Sequence, residues 1–246
     1  MREARLLLPA EEFMYYADSA CCPYGIKPAE IIIERSRAIC DFFLGKGVKL
    51  IVVACNTASI TALEVLREDY QLPIVGIEPA IKPAAAATKN GRIGVLATGL
   101  TLSGRRFNTL VEKFGDAVHV YTVPCPGLVE LVEAGEKDGP EVEALLGSFL
   151  KPLLEKDIDT VVLGCTHYPF IRPTLGVLAG PNVHIIDTGR AVARQLVRVL
   201  EQYDLFNPGI GTGRECFFTS GDPEKTGAVV RKLWGDPEAI IERVCL

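Results

Sequence analysis

Short β-branched and apolar runs alternate along this chain with longer segments whose apolar positions recur every three or four residues. The runs predict strands over 13–16, 50–54, 74–76, 92–97, 118–122, 160–164, 184–186 and 216–219. The helical spacing predicts helices over 28–44, 59–68, 101–114, 141–155, 189–202 and 224–233. Continuously apolar strands flanked by helices imply a parallel sheet covered on both faces, so the expected class is α/β. Punctuation agrees. Pro28 sits where a first helical turn tolerates proline, Gly45 and Gly47 stop the same helix, and Asp187-Thr188-Gly189 offers a cap for the next.

Two of these strand ends read as copies of one another. Val48-Lys-Leu-Ile-Val-Val-Ala-Cys55-Asn-Thr57 and Ile158-Asp-Thr-Val-Val-Leu-Gly-Cys165-Thr-His167 each run from a β-branched stretch through a small residue to a cysteine and short polar groups. The duplication suggests two related α/β lobes, pseudo-symmetric and three-layered, with two thiols facing each other across one cleft. Asn90-Gly91 and the loop 207–213 mark the breaks, giving one lobe of 1–91 with 207–246 and a second of 92–206. Ligands of open α/β sheets bind beyond the carboxyl ends of the strands, where both cysteines lie. Asn56-Thr57 and Thr166-His167 would there present N–H groups and hydroxyls at helix N-termini, which favour anions such as carboxylates. A small dicarboxylate suits two such ends.

Composition narrows the classes. A chain of 246 residues, 48% hydrophobic, supports a large core. Its net charge of −5, with scattered Lys and Arg, gives no basic face for nucleic acid. The eight cysteines follow no small-domain disulfide spacing, which favours reduced thiols. No apolar stretch reaches membrane-spanning length, and the start (apolar only over 6–10, then Glu11-Glu12) is too short for a signal h-region. The expected location is the cytoplasm.

A thiol titrates near pH 8.5 and lower at a helix N-terminus. One thiolate could therefore take a proton from a carbon acid while the opposite thiol gives one to the other face. The plain alternative for either cysteine is a small buried hydrophobe, and repetition of the context argues against it. Zinc is a weak alternative: there are three histidines and no C-x-x-C pair. His167 is either a packed histidine or a group that polarises Cys165. Glu130 and Glu133 read by default as a solvated acidic face. Cys40, Cys125, Cys216 and Cys245 read as structural.

These residues resemble glutamate racemase, in the aspartate/glutamate racemase superfamily. The matching motifs are Tyr16-Ala-Asp18 with Pro23-Tyr-Gly25, Ala54-Cys-Asn-Thr-Ala-Ser59, Leu96-Ala-Thr98, Cys125-Pro126 with Glu133, Gly164-Cys-Thr-His-Tyr-Pro169 and Phe218-Thr-Ser-Gly-Asp-Pro223. The resemblance implies cofactor-independent interconversion of L- and D-glutamate, supplying D-glutamate for peptidoglycan, with no metal, glutamate as the small-molecule partner and room for a homodimer. Matching positions make Cys55 and Cys165 the two acid/base groups, with His167 and Glu133 assisting Cys165. Tyr24, Gly25, Asn56, Thr57, Thr101 and Thr166 would hold the substrate. Two alternatives stay open: a racemase of aspartate or another acidic amino acid, and a non-catalytic binding protein of the same fold. Family members begin with an apolar strand ending in Asp-Ser-Gly, whose carboxylate supports the thiol matching Cys55. Here residues 1–9 read as the end of the first helix, so an N-terminally shortened racemase with a poorly supported Cys55 is expected.

Overall fold

The structure is a computed structural model that describes residues 1–114, 117–209 and 211–246. Its contacts divide into two units, Met1–Val53 with Ala62–Gly76 and Gly189–Leu246, and Ala54–Thr61 with Ile77–Thr188. Both are mixed α/β with parallel sheets. No helix among the described residues is long and apolar enough to cross a membrane.

In the first unit, β1 (Phe13–Ala17), β8 (Glu215–Thr219) and β9 (Ile241–Arg243) form a parallel sheet in the order β1-β8-β9. A separate parallel pair joins β2 (Ile51–Val52) to β3 (Ile74–Val75). Helix α1 (Arg2–Leu7) lies on α10 (Gly189–Gln202), where Ala4 and Leu8 pack with Ala193, Leu196, Val199, Leu200 and Val75. Helices α2 (Ala29–Gly45) and α3 (Asn56–Asp69) close another cluster, with Cys40, Leu63 and Leu66 against Ile51 and Ile74. Helix α11 (Pro223–Trp234) begins at Asp222, whose carboxylate accepts from the Glu224 and Lys225 N–H groups. Glu215 ties the ends of the unit together, accepting from Arg5 and from the Trp234 indole, each at 2.7 Å.

The second unit holds one four-stranded parallel sheet, ordered β5-β4-β6-β7: β5 (His119–Pro124), β4 (Arg92–Ala97), β6 (Thr160–Leu163) and β7 (His184–Ile186). The central strands are buried on both faces, as their unbroken apolar runs require: Ile93, Val95, Leu96 and Ala97 are each 0% exposed. On one face, Ile81 and Ala84 of α4 (Ile81–Ala87) and Phe107 of α6 (Arg105–Glu112) pack on Ile93, Val95 and Val162. On the other lies α8 (Pro140–Leu154), whose Val142, Leu146, Leu150 and Leu153 make a buried stripe at helical spacing. Leu153 comes so near β4 that a Cβ on Gly94 would sit 2.9 Å from its methyl.

Several elements differ from the sequence expectation. The helix expected over 101–114 is two, α5 (Gly99–Ser103) and α6, because Gly104 is extended between them and a Cβ there would lie 2.4 Å from Ile60. The expected β2 shortens to two residues. Helices α4, α7 (Leu128–Glu133) and α9 (Arg172–Ala179) and strand β9 had no expectation. The units also divide elsewhere than at 91/92 and 206/207. Asn90-Gly91 is a turn inside the second unit: Asp159, at the head of β6, accepts from the Thr88 hydroxyl and the Lys89 and Asn90 N–H groups at 2.5, 2.6 and 2.9 Å. Helix α10 belongs with the first unit through α1.

At the end of β1, Asp18 is a buried carboxylate with four donors. Arg35 of α2 reaches both oxygens, at 2.7 and 3.0 Å; Tyr24 donates at 2.6 Å and Ser220 at 2.7 Å. Burial raises its proton affinity, but the Arg35, Tyr24 and Ser220 bonds outweigh burial and hold it below the usual carboxylate range. A depressed carboxyl stabilises the fold above its unfolded pKa and loses that contribution as pH falls through the folded value. Asp18→Asn is expected to cost about 3 kcal/mol at neutral pH, by removing the negative charge against Arg35, whose other acceptor among the described residues is the Leu246 carbonyl. Urea unfolding followed by circular dichroism reads it, and the difference from wild type should shrink as the pH is lowered below about 4.

Candidate active site

Cys55 follows β2 and stands immediately before α3. Its carbonyl accepts from the Ser59 N–H at 2.9 Å, and its sulfur accepts from the Ala58 N–H at 3.5 Å, the geometry of a helix cap. The cap does not lower its titration, as the helix N-terminus was expected to do. Burial pushes the thiol up; the Ala58 and Thr57 N–H groups and His167 oppose this incompletely, and negative charge on Cys165 adds to it.

Cys165 is delivered by β6 through Gly164, and the glycine is obligatory. A Cβ on Gly164 would lie 2.7 Å from the Ala97 Cβ and 3.1 Å from the Leu96 carbonyl. The Gly164 N–H donates to that same carbonyl at 2.8 Å, extending the β4–β6 register by one residue. Beyond Cys165 the chain enters a 3-10 turn, Tyr168–Ile171, not the α-helix expected after the second cysteine; α9 begins only at Arg172. Cys55 alone therefore sits at an α-helix N-terminus.

Cys165 has a different supporter. Its thiol lies 3.6 Å from His167 Nδ1, and His167 Nε2 lies 2.6 Å from the Glu133 carboxylate. With the carboxylate as acceptor, Nε2 carries the proton and the Nδ1 lone pair can accept from the thiol. Leu128, Val129 and Val132 bury one side of α7; Glu133 flanks that side and reaches the imidazole, whereas Glu130 lies across the helix from it. Glu130 stays exposed, so of the two acidic residues only Glu133 has more than a solvated role.

The two cysteine segments touch directly: the Thr166 hydroxyl donates to the Ala54 carbonyl at 3.2 Å. Beside them, the hydroxyls of Thr57, Thr98 and Thr101 form a triangle with sides of 3.0, 3.1 and 3.0 Å. Thr98 also caps α5, accepting from the Thr101 N–H. Thr98 lies within a motif matched in the sequence but was not among the expected site residues; its spacing of three from Thr101 across a helix start was the available signal. Asn56 is 2% exposed, and neither polar atom of its side chain has a hydrogen-bond partner among the described residues. A buried amide left so costs about 1–3 kcal/mol for each unmade bond. A polar ligand beside it would recover that.

Of the expected site residues, the second unit thus assembles Cys55, Asn56, Thr57, Thr101, Glu133, Cys165, Thr166 and His167. Tyr24 and Gly25 lie in the first unit on a 3-10 turn, Tyr24–Ile26, where the Tyr24 hydroxyl is engaged by Asp18.

Comparison with known proteins gives this constellation a family. The Asp/Glu/Hydantoin racemase family profile matches residues 2–196. The chain belongs to that family. As such it is an amino-acid racemase, an isomerase. The glutamate racemase of Pseudomonas aeruginosa (strain PAO1) is 52% identical over 242 residues, 98% of this chain and 91% of the relative. Among solved structures, the Bacillus anthracis glutamate racemase isoform RacE1 superposes with a TM-score of 0.88 at 29% identity, over 100% of this chain and 91% of that one. The Escherichia coli glutamate racemase, solved with L-glutamate and the activator UDP-MurNAc-ala, gives 0.85 at 32% identity, over 99% and 91%.

In this racemase the contact between β4 and β6 sets where Cys165 points. Gly164→Ala is expected to destabilise the protein by about 1–3 kcal/mol through overpacking against Ala97. Activity should fall further than the folded fraction does, because the Cβ can be accommodated only by moving the residue next to the thiol. Thermal melting and turnover measured on one preparation separate the two effects.

Proposed function

We propose that this racemase interconverts L- and D-glutamate in the cytoplasm, without a cofactor, by two-thiol proton transfer at Cα, and that the D-glutamate feeds peptidoglycan synthesis. Inverting a stereocentre bearing hydrogen requires removal of the proton from one face and delivery to the other. Cys55 and Cys165 can share these two roles. The thiolate of one takes the Cα proton while the thiol of the other supplies a proton, and the two exchange protonation states with each turnover. The observation that supports the reading is the Thr166–Ala54 bond, which joins the two cysteine segments within one unit.

The surrounding groups suit an amino-acid substrate. Hydroxyls of Thr57, Thr98 and Thr101 and the amide of Asn56 can donate to a carboxylate, and the Asn56 oxygen can accept from an ammonium. Negative charge that develops on the substrate when Cα is deprotonated is stabilised by donors already in place. Tyr24 and Gly25 are proposed as further substrate contacts on the strength of the motif. Glutamate is favoured by the relatives, which carry the name glutamate racemase at about half identity over nearly the whole chain.

Hydrogen exchange at Cα in deuterium oxide tests this. The wild type is expected to exchange both L- and D-glutamate, whereas Cys55→Ser and Cys165→Ser should each stop exchange from a different enantiomer while leaving the other measurable. Exchange of neither enantiomer by the wild type marks an inert binding protein. Faster exchange of aspartate reassigns the substrate, and equal small losses in both variants sink the division of labour.

A further inference from the structure

We infer that Tyr168, through its buried hydroxyl, is a positioning residue for the Cys165 half of the site, an inference that rests on the two-thiol reading. Tyr168 is 0% exposed and opens the 3-10 turn beyond Cys165. Its N–H donates to the Cys165 carbonyl at 3.2 Å, and its hydroxyl donates to the Cys125 carbonyl at 3.4 Å. The acceptor is a fixed point, because the Cys125 N–H donates to the Ala97 carbonyl at 3.0 Å. Gly164 is pinned to the neighbouring carbonyl of Leu96. A closed ring of bonds therefore runs from the end of β4 through Gly164, Cys165, Tyr168 and Cys125 back to β4.

Within that ring the Tyr168 hydroxyl is the one side-chain link. It joins the segment carrying Cys165 and His167 to the segment that continues into α7 and Glu133. The Glu133–His167 bond spans the same two segments a second time. Two bonds across one junction fix its angle where one would leave a pivot, so the hydroxyl governs how His167 addresses the Cys165 sulfur. Burial, and negative charge on Cys165 and Cys125, push the phenol far above its ordinary range, so it stays a donor. Burial likewise pushes the Cys125 thiol up to about 12, which leaves Cys125 a neutral bystander rather than a third base.

Tyr168→Phe keeps the ring and removes the link. Because a racemisation has an equilibrium constant of one, kcat/KM must fall equally in both directions, by about three- to tenfold for one lost hydrogen bond. The primary deuterium isotope effect need not change equally. If only the Cys165 proton transfer is slowed, the effect with Cα-deuterated substrate should rise for the enantiomer that Cys165 deprotonates and fall for the other. The enantiomer is identified as the one whose exchange is lost in Cys165→Ser. Alkylation by iodoacetamide, located by peptide mass spectrometry, gives a readout that needs no turnover: Cys165 should react at least about threefold faster in Y168F as its turn loosens, with Cys55 unchanged. Isotope effects that change together with unaltered Cys165 alkylation, or collapse of the fold in Y168F, overturn the positioning role. A wild type that exchanges neither enantiomer sinks the two-thiol reading instead, and the alkylation arm still decides on Tyr168.

Discussion

The candidate site depends on how closely two parallel strands approach at their carboxyl ends. At Ala97 and Gly164, just past the end of β6, the two chains are near enough that a Cβ on Gly164 would collide with the Ala97 methyl. From that contact the chain departs in two directions. Past Ala97 it enters Thr98 and the turn of α5, which supplies two of the three hydroxyls; past Gly164 it delivers Cys165. Side chains from strands that diverge beyond a tight contact share the space the divergence opens, the general reason ligands collect at this end of parallel sheets. The bulk behind it is ordinary packing, with Leu153 and Ile158 on one face of β4 and Phe107 and Ile81 on the other.

The two thiols are supported by unlike devices. Cys55 relies on backbone N–H groups at the start of α3, a fixed dipolar field that carries no proton of its own. Cys165 relies on an imidazole backed by a carboxylate, a pair that can accept or return a proton. Duplicated strand ends have thus been finished differently. The strand, the small residue and the cysteine repeat, whereas the residue two beyond the cysteine is Thr57 in one copy and His167 in the other.

Much of this is legible in the sequence because the informative features are local. Strands β4 and β6 announce themselves as unbroken apolar runs, and the cysteines lie where β-branched runs end. The features that escape a sequence reading depend on length or on long-range packing. Helix α7 has six residues, too few for a period to emerge, so nothing in the periodicity separates Glu133 from Glu130. Gly104 reads as a tolerated glycine inside one helix, yet Ile60, remote in sequence, occupies the space its side chain would fill. The upward displacement of Cys55 is hidden for the same reason: a helix start is visible in sequence, but the burial that outweighs it is not.

That displacement fits the proposed chemistry better than a lowered value would. A two-base exchange needs one thiol and one thiolate at a time, never two of either. Each thiolate disfavours ionisation of the other at short range, and burial strengthens the repulsion by reducing the screening between them. Two strongly acidified cysteines would both ionise at neutral pH, leaving no proton for the second face. Burial of Cys55 and the nearby Cys165 together disfavour the doubly ionised pair, while the N–H groups of Ala58 and Thr57 oppose the displacement in part. The cost of burying Asn56 with its amide unsatisfied falls in the same place. Under the proposed function, a hydrogen-bonding substrate beside Asn56 would recover that cost on binding, so part of the binding energy would be spent next to Cys55.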